Sequence, residues 1–406
     1  MNAPAYVLGL TNGGLAVVRS LSQAKIPVFG VDSWMQNVGC ASRLCTLRIG
    51  PPATHEEELI AFLLREGEQL SSPAVLIFAK DEFAVFASRH REALSKYFRF
   101  VLPEKHVSEA MVDKQAQYEL AERLRVPYPP IYNVRTARDL DRLLNEIEYP
   151  VLIKPVHAHL WRKRYQVKLF KAYNAAELKQ LTEDILPTGL EIVLQSFVPG
   201  PPTNLRILCG YISQQGELLG SYVVEKIRQY PPEFGEAALA VTVDDPQVHD
   251  LGLQFALGVG FRGPFMVEFK RDDRTGTWKL MELNPRFWSH TALGPSVGSD
   301  LPMLNYLDAV GRNPAPQVGY RVGVHWLHTT RDVMWFQERG KLDGTTLPQL
   351  LWSWRKARSH GAFAWNDPRP LFTQSQPLVQ SLRRAVRSRM PWLPAAKRLL
   401  FANRTH

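Results

Sequence analysis

The stretch from Gly263 to Arg286 constrains this chain more than any other. Gly263-Pro264-Phe265-Met266-Val267-Glu268-Phe269-Lys270 and Trp278-Lys279-Leu280-Met281-Glu282-Leu283-Asn284 alternate like two strands, and the Gly-containing RDDRTGT between them predicts a β-hairpin. A period of two puts Phe265, Val267 and Phe269 on one face and Glu268 on the other. On the return strand Met281 and Leu283 are expected to share the apolar face, with Glu282 and Asn284 opposite. A turn centred near Thr275 then sets Glu268 almost across from Glu282. Opposed carboxylates repel unless something cationic lies between them. A hard divalent ion meets that need, since Mg2+ takes one or two carboxylates together with phosphate oxygens. The other reading is a solvated face carrying two unrelated acids. The bulky flanks indicate a covered sheet, which favours the metal.

At 406 residues the chain exceeds one ordinary domain, and about 150 residues per domain gives two or three. A hydrophobic fraction of 45% with 22% charged residues suits buried cores and excludes disorder. Cys40, Cys45 and Cys209 are too few and too scattered for a disulfide framework or zinc cage, which points to a reducing, cytoplasmic setting. No apolar run reaches the roughly 20 residues of a membrane helix, and MNAPAYVLGL lacks the basic start of a signal peptide. A soluble intracellular protein is expected. The net charge of +10 is local: after Asp367 there is no acid but eight basic residues, Arg369, Arg383, Arg384, Arg387, Arg389, Lys397, Arg398 and Arg404. The first 367 residues therefore carry only +2. A specific nucleic-acid binder would spread its basic residues over the main face, so that class is disfavoured.

The opening reads as a βαβ unit, with a strand at Tyr6–Leu10, a helix from Leu15 to Ala24 and a second strand at Ile26–Asp32. Ala74–Phe78 is a buried strand and Glu82–Tyr97 a helix, so the first hundred residues form a small open parallel sheet. The turn GLTNGG lacks the spacing of a dinucleotide fingerprint or a P-loop, and a tight helix–strand turn is preferred over a nicotinamide site at Asp32. Asp81-Glu82 follows a strand, where an acid holds an amine or, as preferred, caps the helix. A second block starts near Val107. Asp113 caps a helix from Lys114 to about Val126, another helix fits Arg138–Ile147, and strands follow at Tyr149–Pro155 and Glu191–Val198. Lys154 lies in an apolar strand, where a buried ammonium needs an anion such as a phosphate, unless its head snorkels to water. Lys114 alone reads as an ordinary surface lysine.

In order and spacing these pieces resemble the ATP-grasp superfamily, and within it the carboxylate–amine ligase-like proteins. The matching pieces are Asp113-Lys114, Ile153-Lys154-Pro155, Gln195-Ser196-Phe197-Val198-Pro199-Gly200, Glu268 and Glu282-Leu283-Asn284-Pro285-Arg286. The resemblance covers roughly 107–312. It implies an α/β protein with an N-terminal open parallel (pre-ATP-grasp) domain at 1–106 and a two-lobed α+β ATP-grasp domain at 107–312. The small lobe would be about 107–190 and the large lobe about 191–312, followed by a C-terminal extension with its basic tail at 313–406. It implies that Lys114 and Lys154 hold ATP phosphates, that Gln195 and the Val198 backbone meet the adenine, and that Glu268, Glu282 and Asn284 bind Mg2+ or Mn2+. Arg286 would contact the substrate carboxylate or the transferred phosphoryl group. The implied reaction turns a small-molecule carboxylate into an acyl phosphate and joins it to an amine, releasing ADP and phosphate. The alternatives are another chemistry of the superfamily, such as carboxylation, or a nucleotide-binding module tethered by its tail.

One departure concerns the phosphate-covering loop, often glycine-rich in the superfamily. Here it is HAHLWRKRYQVKLFKA, in which basic side chains would replace backbone N–H groups, the alternative being a loop that has lost catalytic competence. Arg206, Lys226 and Arg228 would lie near the nucleotide, as contacts to phosphate or an anionic substrate or as solvated charges. In the extension, Val322–His328 reads as a strand returning to the main body. Leu378–Met390 reads as a basic helix suited to an anionic membrane surface, an acidic partner or plain solvation.

Overall fold

The computed structural model describes residues 2–375 apart from 156–160, 162, 163, 166 and 168. The basic helix expected at Leu378–Met390 and much of the expected phosphate-covering loop lie outside the described residues.

Three sheets organise the chain. β1 (Ala5–Leu8), β2 (Val28–Asp32), β3 (Thr46–Ile49), β4 (Ala74–Phe78) and β5 (Phe98–Arg99) form a parallel sheet of order β3-β2-β1-β4-β5. The continuous apolar run of β4 is buried on both faces, as a parallel sheet covered by helices requires. At the first turn Gly9 has φ +91°, and a Cβ on Gly14 would lie 2.0 Å from the Gly9 carbonyl oxygen. The two glycines let the helix Asn12–Gln23 close onto the strand. The buried Asp32 carboxylate accepts from Leu10 N (2.6 Å), Trp34 N (3.0 Å) and Asn37 Nδ2 (2.7 Å), so it ties this turn together.

β6 (Ile131–Val134), β7 (Val151–Pro155), β8 (Phe170–Ala172) and β9 (Ile192–Ser196) form an antiparallel sheet of order β6-β9-β7-β8. β9 hydrogen-bonds to both β6 and β7, so the chain stays in this sheet up to Ser196. The change of sheet occurs at Pro199–Pro202, where Gly200 has φ +126° and a Cβ there would lie 2.3 Å from Asn204 Nδ2.

The largest sheet has the order β14-β13-β10-β11-β12-β15-β16. Its strands are β10 (Leu205–Ile212), β11 (Leu218–Tyr230), β12 (Glu236–Val243), β13 (Gly263–Arg271), β14 (Trp278–Asn284), β15 (His325–Leu327) and β16 (Ala357–His360). On one side its residues Ile207, Tyr211 and Trp326 share a core with Val7, Val17 and Leu21 of the N-terminal unit. On the other, Val223, Phe265, Val267 and Leu283 pack with Phe255 of the helix Pro246–Gly258.

The segment after Gly311 is built into this sheet through β15 and β16. His328 caps the next helix, Thr329–Trp335, by accepting from Arg331 N. That helix is pinned by a bidentate pair in which Arg228 donates to both oxygens of Asp332 at 2.7 Å. Asp332 is fully buried and also accepts from Trp354 Nε1 at 2.6 Å. Removing one partner of such a pair strands the other charge. Asp332→Ala is therefore expected to lower unfolding free energy by about 3 kcal/mol in denaturant titrations. The double change Arg228→Met/Asp332→Leu should lose less; equal or greater loss would show that the pair is not what anchors this segment.

Candidate active site

The hairpin register pairs Glu268 directly with Glu282, Val267 with Leu283 and Met266 with Asn284. Beyond Glu268 the register slips so that Phe269 faces Leu280, leaving Met281 as an extra residue. The apolar face is consequently made by Leu280 and Leu283. Met281 turns into the cleft beside Glu282 and Asn284, contrary to simple alternation.

Each glutamate is met by a lysine. Lys226 Nζ on β11 lies 2.6 Å from Glu268, and Lys114 Nζ lies 3.0 Å from Glu282. Lys114 is held at its helix start because Asp113 accepts from Gln115 N (2.8 Å) and Ala116 N (3.1 Å), the expected cap. The neighbouring Glu282 carboxylate raises the Lys114 pKa above the usual lysine value, against the effect of burial. Asn284 Nδ2 donates to Glu282 at 3.2 Å, and Arg286 donates to Asn284 Oδ1 at 3.0 Å. Two carboxylates and an amide oxygen suit a hard cation. Among the described residues no three His, Cys, Asp or Glu converge, so a bound Mg2+ would need further oxygens from a phosphate.

From this centre the cleft runs under the smaller sheet. Lys154 Nζ donates to Gln195 Oε1, and the buried Gln195 donates through Nε2 to Tyr118 OH at 2.7 Å. Burial pushes the Tyr118 hydroxyl up to about 12, so it remains protonated and itself donates to the Met281 carbonyl. Val198, just past β9, also lines this end. Lys114, Lys154, Gln195, Val198, Lys226, Glu268, Glu282, Asn284 and Arg286 all border one cleft of about 2150 Å³. Single small-molecule sites are roughly 300–1,000 Å³, so there is room for more than one ligand.

Two residues expected near the nucleotide turn elsewhere. Arg206 alternates with the cleft-lining Leu205 and Ile207, and it faces away to pair with Glu225 (2.7 Å) and Asp245 (3.5 Å). Arg228 would share a face with Lys226 on a regular strand. The irregular register between them separates the two, leaving Lys226 in the cleft and Arg228 on Asp332. Asp81 is not the helix cap either. It sits in the first turn of the helix Asp81–Arg89, and Arg286 Nε donates to it at 3.1 Å.

The far end of the cleft holds residues that sequence reasoning missed. Arg331 Nη2 lies 2.6 Å from Glu236, which also accepts from Ser289 Oγ at 2.5 Å. Burial opposes ionisation of Glu236, but Arg331, Ser289 and Arg286 together hold it down to about 2. His328 borders the same space and contacts Gln374 Nε2 at 3.0 Å. The one signal for this contribution was the predicted return strand at Val322–His328, and it said nothing of Arg331.

No family model matches the chain. Over 261 residues it is 24% identical to the D-aspartate ligase of Enterococcus faecium, covering 60% of this chain and 62% of that protein. The chain thus spans less than two thirds of the length of the curated relatives it matches. Among solved structures, N5-carboxyaminoimidazole synthetase from Staphylococcus aureus complexed with ADP superposes with a TM-score of 0.63 at 14% identity, covering 84% of this chain and 86% of that one. L-amino acid ligase from Bacillus licheniformis gives a TM-score of 0.57 at 16% identity, covering 76% and 74%. At these identities the likeness establishes a common fold.

Two buried histidines near the cleft carry a pH signature. Burial lowers His290 from 6.5 to about 3 and His328 well below 6.5. The unfolded chain takes up protons there that the folded chain refuses. Their stabilising contribution is therefore complete above the unfolded value and lost as pH falls from 6.5 towards the folded ones. Stability should drop by up to about 1.4 kcal/mol per pH unit for each histidine. Denaturant titrations at stepwise lower pH should show a shallower drop for His290→Gln; an unchanged slope would contradict the assignment.

Proposed function

We propose that this chain, which has the ATP-grasp fold of its structural neighbours, is an ATP-dependent ligase. It activates a carboxylate as an acyl phosphate and joins it to an amine. The observation that carries this reading is one cleft holding two opposed glutamates, each countered by a lysine, with Arg286 beside Asn284 and Arg331 at its far end. Likeness to a D-aspartate ligase and an L-amino acid ligase supports an amino acid as one substrate.

In this reading Gln195 and the backbone at Val198 orient the adenine, and Lys114 and Lys154 hold the phosphates. Glu268, Glu282 and Asn284 would hold Mg2+, which when bound neutralises phosphate charge; Mn2+ meets the same oxygen set. Lys114 and Lys226, which pair with the glutamates, turn to phosphate oxygens once those glutamates have another positive partner. Arg286 orients the carboxylate whose oxygen attacks the γ-phosphorus, breaking the bond to ADP. The amine then attacks the acyl carbon, phosphate leaves, and the nitrogen loses a proton. Positioning and charge neutralisation supply most of the rate in such transfers, and exclusion of water protects the acyl phosphate. The division into domains at 1–106, 107–312 and 313–406 belongs to the same proposal, with 313–406 contributing Arg331 and His328 to the cleft. So does a cytoplasmic setting, with which three unpaired thiols accord. Contact of the basic C-terminal tail with an anionic surface is also part of it.

Phosphate release from Mg-ATP, with and without pools of amino acids, tests the proposal. Stimulation by a pool is the expected result; turnover driven only by bicarbonate would point to carboxylation instead. Glu282→Ala should reduce turnover by at least about 100-fold with an unchanged melting temperature, whereas wild-type activity in this variant would remove the metal assignment.

A further inference from the structure

The short helix Leu347–Trp354 has an inner face fixed by specific contacts. Leu350 is buried, Ser353 Oγ accepts from Arg228 at 2.8 Å, and Trp354 Nε1 donates to Asp332. Its outer face is apolar yet open to solvent: Leu347 is 53% exposed, Leu351 47% and Trp352 63%. Leu347, Leu351 and Arg355 recur every fourth residue, so they form one stripe. Leu342, 80% exposed, lies in the turn just before the helix. Large apolar side chains scattered singly on a surface need no explanation, but four within eleven residues do.

Before this stripe lie the exposed acids Glu338 and Asp343, the latter paired with Arg339 at 3.0 Å; after it the charge has one sign. Arg355, Lys356 and Arg358 follow it, all exposed, and the Arg355 guanidinium lies 4.8 Å over the Trp352 ring. From Gly344 to the C-terminus there are eleven Lys and Arg against a single acid, Asp367, so this part of the chain carries the entire net charge of +10. Asp367 offsets none of it outwardly, because it is fully buried on Arg19 and Ser42. Exposed Leu and Trp bordered by cations complement a surface that is anionic outside and apolar beneath. A soluble polyanion would use the charges but would gain nothing from the leucines.

We propose that the outer face of the helix Leu347–Trp354, with Leu342, docks on an anionic lipid bilayer. The inference rests on the basic-tail contact proposed above and adds its apolar half and its orientation. Arg339 and Asp343, immediately before the stripe, line the cleft, so docking sets the cleft rim against the membrane. Interfacial binding of this kind takes buried apolar area together with attraction to anionic headgroups, since neither alone holds a protein stably.

Flotation of the full-length protein with vesicles tests this. Binding to phosphatidylcholine vesicles containing about one third phosphatidylglycerol is expected, with weak binding to pure phosphatidylcholine and a loss in high salt. Leu351→Ser/Trp352→Ser, which changes no charge, should weaken binding by about tenfold or more with an unchanged melting temperature. Deleting residues 377–406 should weaken it as well. If the deletion abolishes binding while the Ser variant binds like wild type, the tail contact stands and the apolar docking face is overturned. No binding by the wild-type protein overturns both. Displacement from vesicles by RNA at matched charge, together with an unaffected Ser variant, would assign the surface to a polyanion. A melting temperature lowered by the Ser substitutions would show that the chain's own tail or a second copy covers the face, which also overturns the proposal.

Discussion

Two carboxylates held opposite each other across β13 and β14 are the constraint around which the cleft is built. Like charges in register destabilise a hairpin, and each is compensated from outside it: Glu268 by Lys226 on β11, Glu282 by Lys114 at a capped helix start. The compensation joins the large sheet to the helix that leads into the smaller lobe. From there Tyr118 and Gln195 carry the network to Lys154 on β7. Each of the two opposed carboxylates thus has a lysine of its own, so neither is left as an uncompensated charge.

The other end of the cleft is assembled from distant parts of the chain. Asp81 projects from the C-terminal edge of the parallel sheet, the usual ligand-binding edge of open α/β sheets, and reaches Arg286 beyond the hairpin. Arg331 and His328 come from the segment after β15, held in place by Arg228 and Asp332. The N-terminal unit and the segment after β15 therefore both shape this end of the cleft. A continuous core that includes Val7, Ile207 and Trp326 fixes their relative positions.

Local rules made much of this readable in advance. Alternation with a period of two placed Glu268 opposite Glu282, and Asp113 was identifiable as a cap from its position before a periodic run. The continuous apolar run at Ala74–Phe78 marked a strand of a parallel sheet. What local rules missed were the two register irregularities. Strict alternation puts Met281 with Leu283 and Arg228 with Lys226, while bulges chosen by tertiary packing send Met281 into the cleft and Arg228 out of it. Pairs more than a hundred residues apart, such as Arg228 with Asp332 and Asp81 with Arg286, leave no local pattern at all. Arg206 shows the same limit: expected beside a nucleotide, it pairs with Glu225 and Asp245 on the opposite side of the sheet from Glu268.

In the proposed reaction a substrate carboxylate, activated on ATP, becomes an acyl phosphate. Heavy-oxygen labelling tests it most directly. Mg-ATP is turned over with amino acids labelled in their carboxylate oxygens, and the released phosphate is analysed by mass. One heavy oxygen is expected to move from carboxylate to phosphate in each turnover. Phosphate carrying label only from solvent water, or only from labelled bicarbonate, would contradict it.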